Sequence, residues 1–331
     1  VIADRAYRMP RPSHSQAVNW PDAFGTRFTV FVDVEEEFDW RAPVDRANRA
    51  TTAMRAFPAA HRRFVDHGIA LACMIDHPIA TNPAAVEILE QVIADGRSEI
   101  GTQLHPWVNP PFDETVTPVT SYAGNLAAAL EAAKIDALTS AVRTAFGRPP
   151  RAYRAGRYGV GPRTIALLAE RGYRIDSSIR SGYDYSADGG PDFTAIDSNA
   201  FHIGSLVELP LTTVFTGHLH KHGAGLYAAL GRIPKARGAF ARCGLLSRIA
   251  LTPEDMPIAA AIEAIDVALG DGIRLLTFSF HSPSLAPGHT PYVRTMADLT
   301  RFQCWWDQMV RHLARRGVAN ASLDDIIVAL A

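Results

Sequence analysis

The chain has 331 residues, 47% hydrophobic and 20% charged, and its 33 basic and 34 acidic side chains leave a formal net charge of −1. Such proportions suit a globular chain with a sizeable core. The balanced charge carries no polyanion-binding signature, so nucleic acid and acidic membrane surfaces are not favoured partners, and no apolar run approaches the ~20 residues needed to span a bilayer.

Residues 1–27 carry Pro10, Pro12 and Pro21 with little periodicity and read as an extended lead-in. The stretch Phe28–Trp40, FTVFVDVEEEFDW, is apolar on both faces until it meets five acids: Asp33, Glu35, Glu36, Glu37 and Asp39. That pattern predicts a strand buried between layers, with acids at its carboxyl end, where parallel α/β folds place ligands. Phe38 and Trp40, interleaved with the acids, predict a loop that folds back on the protein.

A helix is expected over about 51–67, stopped by Gly68, and a strand over Ile69–Ile75 that ends on Asp76 and His77. Asn82 before Pro83 is a helix start, with Gly96 near its end. A short strand around Glu99–Gly101 leads into HPWVNPPF, and the Ala-rich segment Tyr122–Phe146 has the strongest helix propensity in the chain. A strand ending at Arg154, a helix from about Gly161 to Arg171 and a strand Tyr173–Asp176 follow. The recurrence of helix, glycine and strand predicts parallel βαβ units.

A Gly/Ser/Asp-rich stretch over 178–204 reads as a surface loop before a strand at Leu206–Leu209. Segment 216–252 departs from the repeat and reads as one or two inserted helices. Within it His218, His220 and His222 form an HxHxH run, one face of a strand or part of a loop. A helix Ile258–Leu269, a strongly apolar strand Ile273–Phe280, a helix over about 298–315 and a closing helix begun by Ser322 complete six to eight strands, enough for a barrel. The expected organisation is therefore the lead-in followed by one α/β barrel domain, 28–331, with a helical insertion at about 216–252.

Cys73, Cys243 and Cys304 are odd in number and widely spaced, so they make neither a disulfide framework nor a CxxC metal site. Cys73 reads as a small core residue. No secretory leader is visible, which reads as a cytoplasmic location.

Five separate strand ends present polar residues: Asp33 with Glu35, Asp76 with His77, His105 with Asn109, Arg154, and His281. A barrel would bring these ends together above one pocket. The order of these motifs resembles the NodB-homology polysaccharide deacetylases, carbohydrate esterases with a distorted (β/α)7-type barrel, and most of all a branch whose first motif reads DVE, often labelled WalW-like. The resemblance covers roughly residues 28–282.

It implies that Asp33 is the catalytic base and that Glu35 is a metal ligand. His105-Pro106-Trp107-Val108-Asn109 matches a motif with two metal histidines, Asn109 standing in place of the second. The implied ligand set is Glu35, His105 and Asn109, around a divalent ion, zinc foremost. Because an amide oxygen is a poor zinc ligand, Asp76 or His77 could complete the set, or the chemistry could be metal-free. Arg154, in Tyr153-Arg154-Ala155-Gly156, would fix the base, and His281, after Phe278-Ser279-Phe280, would be the general acid. Glu208-Leu209-Pro210 is the weakest of the carried-over motifs.

Amide hydrolysis needs a water deprotonated as it attacks, stabilisation of the tetrahedral intermediate and an acid for the departing amine. The expected activity is hydrolysis of a non-peptide carbon–nitrogen bond, metal-dependent N-deacetylation of an N-acetylated sugar or polysaccharide, with Trp40, Trp107 and Tyr158 as sugar-stacking rings. The alternatives are a metal-independent amidohydrolase acting on a small amide, and a catalytically silent glycan-binding or assembly protein.

Overall fold

In the computed structural model, which describes residues 6–331, the acid-tipped stretch forms β1 (Arg27–Val34), buried along almost its whole length. Residues 1–5 of the expected lead-in lie outside the described part. In chain order the other strands are β2 (Leu71–Ile75), β3 (Glu99–Leu104), β4 (Ala152–Ala155), β5 (Ile175–Asp176), β6 (Phe201–Ile203), β7 (Leu206–Glu208), β8 (Thr213–Thr216), β9 (Ser247–Ala250), β10 (Leu275–His281) and β11 (Ala319–Asn320). One nine-stranded sheet has the order β10-β1-β2-β3-β4-β5-β7-β6, with β11 added on β1. All its pairings are parallel except β6 with β7.

Parallel pairing requires crossovers, and helices supply them: Phe57–Val65 after β1, Pro83–Ile93 after β2, Ala128–Phe146 after β3 and Thr164–Glu170 after β4. The sheet curls on itself. Backbone bonds from Thr212 to the Thr277 carbonyl (3.1 Å) and from Ser279 to the Leu251 carbonyl (3.2 Å) link the chain beyond β7 to β10. The result is the expected α/β barrel in distorted, open form.

Strand alternation sorts the side chains. Val30, Val32 and Val34 join Cys73, Leu104, Phe278 and Phe280 in a large cluster beneath the helices, whereas Phe31, Ala72, Met74, Ala152 and Ile175 fill the inside of the curl. Burying each Val or Phe contributes about 1.5–3 kcal/mol, so the first strand is anchored from both faces. Trp305 and Trp306 pack in the outer cluster.

Local chemistry sets most helix ends. Asn82 accepts hydrogen bonds from the Ala84 and Ala85 amides, and Ser322 and Thr295 form capping boxes with Asp325 and Asp298. Three expectations change. The stretch 178–204, expected as a surface loop, contributes β6 and buries Ile179, Phe193 and Ile196. The helix expected from Tyr122 begins at Ala128, because Gly124 lies against the backbone of Gly161 and donates to the Gly159 carbonyl at 2.7 Å, which ties residues 123–125 into a separate turn. The 216–252 insertion holds the expected helices, Gly223–Leu230 and Ala236–Arg242, but they ride on an antiparallel ribbon of β8 and β9. At its tip His220–His222 form a single 3-10 turn, so His218, His220 and His222 do not share a strand face.

Candidate active site

Alternate residues of adjacent strands face the inside of the curl at its carboxyl end. On β1 these are Phe31 and Asp33, continued by Glu35; on β3 Gln103, continued by His105; on β4 Arg154; and on β10 Ser279 and His281. Asp33 is the register partner of His281, and Gln103 that of Arg154. Period-two geometry thus gathers side chains far apart in sequence around one cavity of about 560 Å³. Asp33, Glu35, Gln103, His105, Arg154 and His281 all line it.

Asp33 and Arg154 are both buried, with Arg154 Nη1 donating to Asp33 Oδ1 at 2.7 Å. The same nitrogen donates to Ser279 Oγ at 2.6 Å, Nη2 donates to Ser177 Oγ at 2.9 Å, and the guanidinium lies 4.8 Å from the centre of the Phe31 ring. A buried arginine so fully constrained fixes one oxygen of Asp33 and leaves Oδ2 facing His281 Nε2 at 3.6 Å.

His281 is held from behind. Its Nδ1 lies 2.7 Å from Glu254 Oε2, and its backbone amide and the Ser284 hydroxyl both donate to Glu254 Oε1. Burial lowers the pKa of His281, but the charges of Glu254 and Glu35 outweigh it and raise the pKa to about 10. That direction favours the protonated ring, which would set Nδ1–H on Glu254 and Nε2–H toward the cavity.

Glu35 and His105 converge on the other side of Asp33. Glu35 Oε2 accepts from Gln103 Nε2 at 3.1 Å and lies 3.6 Å from His105 Nε2, while Oε1 is buried without a hydrogen-bond partner. Burial raises Glu35 to about 8, against the opposing pull of His281 and His105. Behind His105, Glu36 accepts from Trp107 Nε1 at 2.7 Å and lies 2.7 Å from His105 Nδ1, and its amide donates to Asp76 Oδ2 at 2.6 Å. Burial raises Glu36 to about 7 and lifts Asp76 well above the carboxylate range, where the Glu36 charge adds to it. Gly156 lets this ring sit where it does: a Cβ there would overlap His105 and come within 2.8 Å of the Leu104 carbonyl oxygen.

Asn109 is fully buried and does not line the cavity; its amide nitrogen donates to the carbonyls of Lys134 (2.9 Å) and Pro110 (2.8 Å), and its Oδ1 is buried without a hydrogen-bond partner. His77 is half-buried outside the cavity. Asp76 caps the turn His77–Ala80 and, with Glu36 and His105, forms a buried trio whose ligand-type atoms lie within 4.8 Å of one another. The hydrogen bonds inside that trio already occupy His105 Nδ1. The buried, partnerless Glu35 Oε1 and the free His105 Nε2 are donors that fit a divalent ion, two protein ligands in place of the usual three.

The three expected stacking rings all line the cavity. Trp107 is 1% exposed and lies flat against His105 at 4.3 Å, so it backs the imidazole. Trp40 stands edge-on to His281 at 4.7 Å, and Tyr158 stacks on Tyr185 at 5.5 Å. Sequence reasoning missed Gln103, Glu254, Arg157 and Arg180. Gln103 was open to inference, two residues before His105 on one strand face; Glu254 carries no local signal.

No protein-family model matches the chain, and no curated protein matches it. Solved structures similar to it include a Mycobacterium smegmatis protein assigned as a polysaccharide deacetylase, 17% identical over 95% of this chain and 98% of that one, with a TM-score of 0.48. They also include a peptidoglycan N-acetylglucosamine deacetylase, 9% identical over 96% of this chain and 91% of that one, with a TM-score of 0.45. A branching enzyme from Pyrococcus horikoshii, 9% identical, matches 92% of this chain and 70% of its own with a TM-score of 0.50, a likeness of fold alone. Polysaccharide deacetylases thus stand among the structures this chain is similar to.

Proposed function

We propose that the protein hydrolyses a non-peptide carbon–nitrogen amide bond, as an N-deacetylase of an N-acetylated sugar or polysaccharide. The observation that carries this reading is the pairing of two oppositely prepared groups across one cavity: Asp33, locked by Arg154, and His281, locked by Glu254, 3.6 Å apart. Asp33 Oδ2 takes a proton from water as the water oxygen bonds to the carbonyl carbon. The tetrahedral intermediate then breaks its C–N bond as His281 Nε2–H protonates the leaving nitrogen, releasing a carboxylic acid and an amine. Gln103 and Arg154 hold the acids in place, Trp107 backs His105, and the rings of Trp40 and Tyr158 on the cavity wall exclude water and flank the space a sugar ring would take.

Glu35 and His105 are the residues that would hold a divalent ion, which when bound would act as a Lewis acid on the carbonyl oxygen. Asn109, an amide in the place of a metal histidine and outside the cavity lining, favours a second reading in which the amide hydrolysis is metal-independent and acts on a smaller substrate. Release of acetate and free amine from N-acetylglucosamine oligomers, assayed with and without a strong chelator, separates the two. Activity lost with chelator and restored by a divalent ion supports the first, and activity indifferent to chelator supports the second.

A further inference from the structure

The cavity holds a cation that the reaction above does not use. Arg180 lines both the 560 Å³ cavity and an adjoining one of about 240 Å³, and Tyr158, His281 and Tyr292 line both as well. Buried or half-buried arginines are ordinarily paired, as Arg154 is with Asp33 and Arg151 with Glu99. Among the described residues no carboxylate lies within 4.0 Å of Arg180. Its guanidinium sits 4.0 Å from the centre of the Tyr183 ring and 5.9 Å from that of Tyr158, and its Nε is buried without a hydrogen-bond partner.

The nearby acids are otherwise engaged or exposed. Asp33 is on Arg154, Glu254 is on His281 and Ser284, and Asp39, Asp188 and Asp255 are exposed. A second arginine, Arg157, lines the same cavity with hydrogen bonds only to neutral groups, the Tyr122 and Ser121 hydroxyls and the Pro118 carbonyl. Arg157 and Tyr158 hold left-handed backbone, φ 54° and 59°, in consecutive non-glycine residues. Strain of that kind persists where the surroundings over-determine it and is concentrated at ligand sites. Here it sets Arg157 and Tyr158 on the cavity wall.

We propose that the substrate carries a carboxylate close to its scissile amide, and that Arg180, with Arg157, receives it. The guanidinium fork matches a carboxylate in geometry and charge. This inference rests on the amide-hydrolase reading for its substrate, but its test reads binding separately from turnover.

The probes are N-acetylglucosamine, N-acetylglucosaminuronic acid and N-acetylmuramic acid, the same sugar without a carboxylate, with one at C6 and with one on an O3 ether. Calorimetric titration of the full chain should show at least one acidic sugar binding about tenfold or more tightly than the neutral one, the yield of one charge-assisted hydrogen bond. That preference should shrink at about 0.5 M salt, fall below about threefold in Arg180→Gln and persist in part in Arg180→Lys. Equal affinities for all three sugars in the wild type, or a preference untouched by Arg180→Gln, overturns the proposal. A carboxylate preference without cleavage of any of the sugars upholds the anion site and counts against the hydrolase reading. Cleavage without preference does the reverse.

Discussion

Asp33 and His281 are register partners in the parallel pairing of β1 with β10, and their Oδ2 and Nε2 atoms stand 3.6 Å apart at the carboxyl end of the sheet. Each is fixed from behind by a partner of opposite charge, Arg154 for the first and Glu254 for the second. The proposed chemistry needs both groups in one transition state, so their losses should not add. We expect Asp33→Asn and His281→Ala each to lower kcat by about 10²–10⁴-fold, and the double variant to be no worse than the poorer single one. Steady-state kinetics on the three variants checks this.

Glu254 acts on the reaction only through His281. In Glu254→Gln the largest influence holding His281 near 10 is removed, so its pKa falls toward the ordinary value near 6.5. The acid must be protonated to donate, so the rate is lost as pH rises through that pKa, and the alkaline limb of the pH–rate profile should move to lower pH. A merely structural role for Glu254 would lower the rate evenly across pH.

Asn109 and Glu35 should separate cleanly in metal titrations. Asn109→Ala removes the donor to one buried and one half-buried carbonyl and should cost about 1–3 kcal/mol of stability, read as a lower thermal midpoint, with ion affinity unchanged. Glu35→Gln should abolish that affinity. Equilibrium dialysis against zinc, alongside thermal unfolding, makes the comparison.

Gly156 has a role legible only in three dimensions. Because a side chain there would overlap the His105 ring, Gly156→Ala should displace the imidazole and reduce activity. The chain should remain folded, since the position lies at the end of β4, outside the hydrophobic clusters. Circular dichroism beside an activity assay distinguishes this from general unfolding.

A second buried carboxylate pair gives a stability signature. Burial raises Asp176 to about 6, and lifts Glu208 well above the carboxylate range, where the charge of Asp176 adds to it. Both folded-state values stand above the unfolded ones near 4, so this contribution to stability is full below about pH 4 and is lost as pH rises through the folded values. Glu208→Gln removes one such proton. The difference in thermal midpoint between variant and wild type should move in the variant's favour from about pH 4.5 to about pH 7.5.

Apolar periodicity and polar strand ends located Asp33, Glu35, His105, Arg154 and His281, because a parallel barrel converts strand position into spatial convergence. Those signals could not say which way Asn109 turns, since its rotation is decided by the carbonyls of Lys134 and Pro110. Glu36, one of the five acids after the first strand and beside Glu35, is fully buried and holds the far side of His105. Glu254 reaches His281 from 27 residues away, and Arg180 reaches the cavity from a segment read only as a surface loop. Contacts of that range leave no periodic trace in a single sequence. The β8–β9 ribbon was missed because its strands flank two helices whose composition dominates the segment.

The central claim is that Asp33 and His281 together cleave an amide, and its most direct test is acetate release from N-acetylated hexosamine oligomers. Wild type, Asp33→Asn and His281→Ala would be compared with and without added zinc, each first shown to be folded. The account predicts acetate and free amine in equal amounts from the wild type and a fall of about 100-fold or more in either variant. Acetate release that survives Asp33→Asn, or a folded wild type that releases none under either condition, would contradict it.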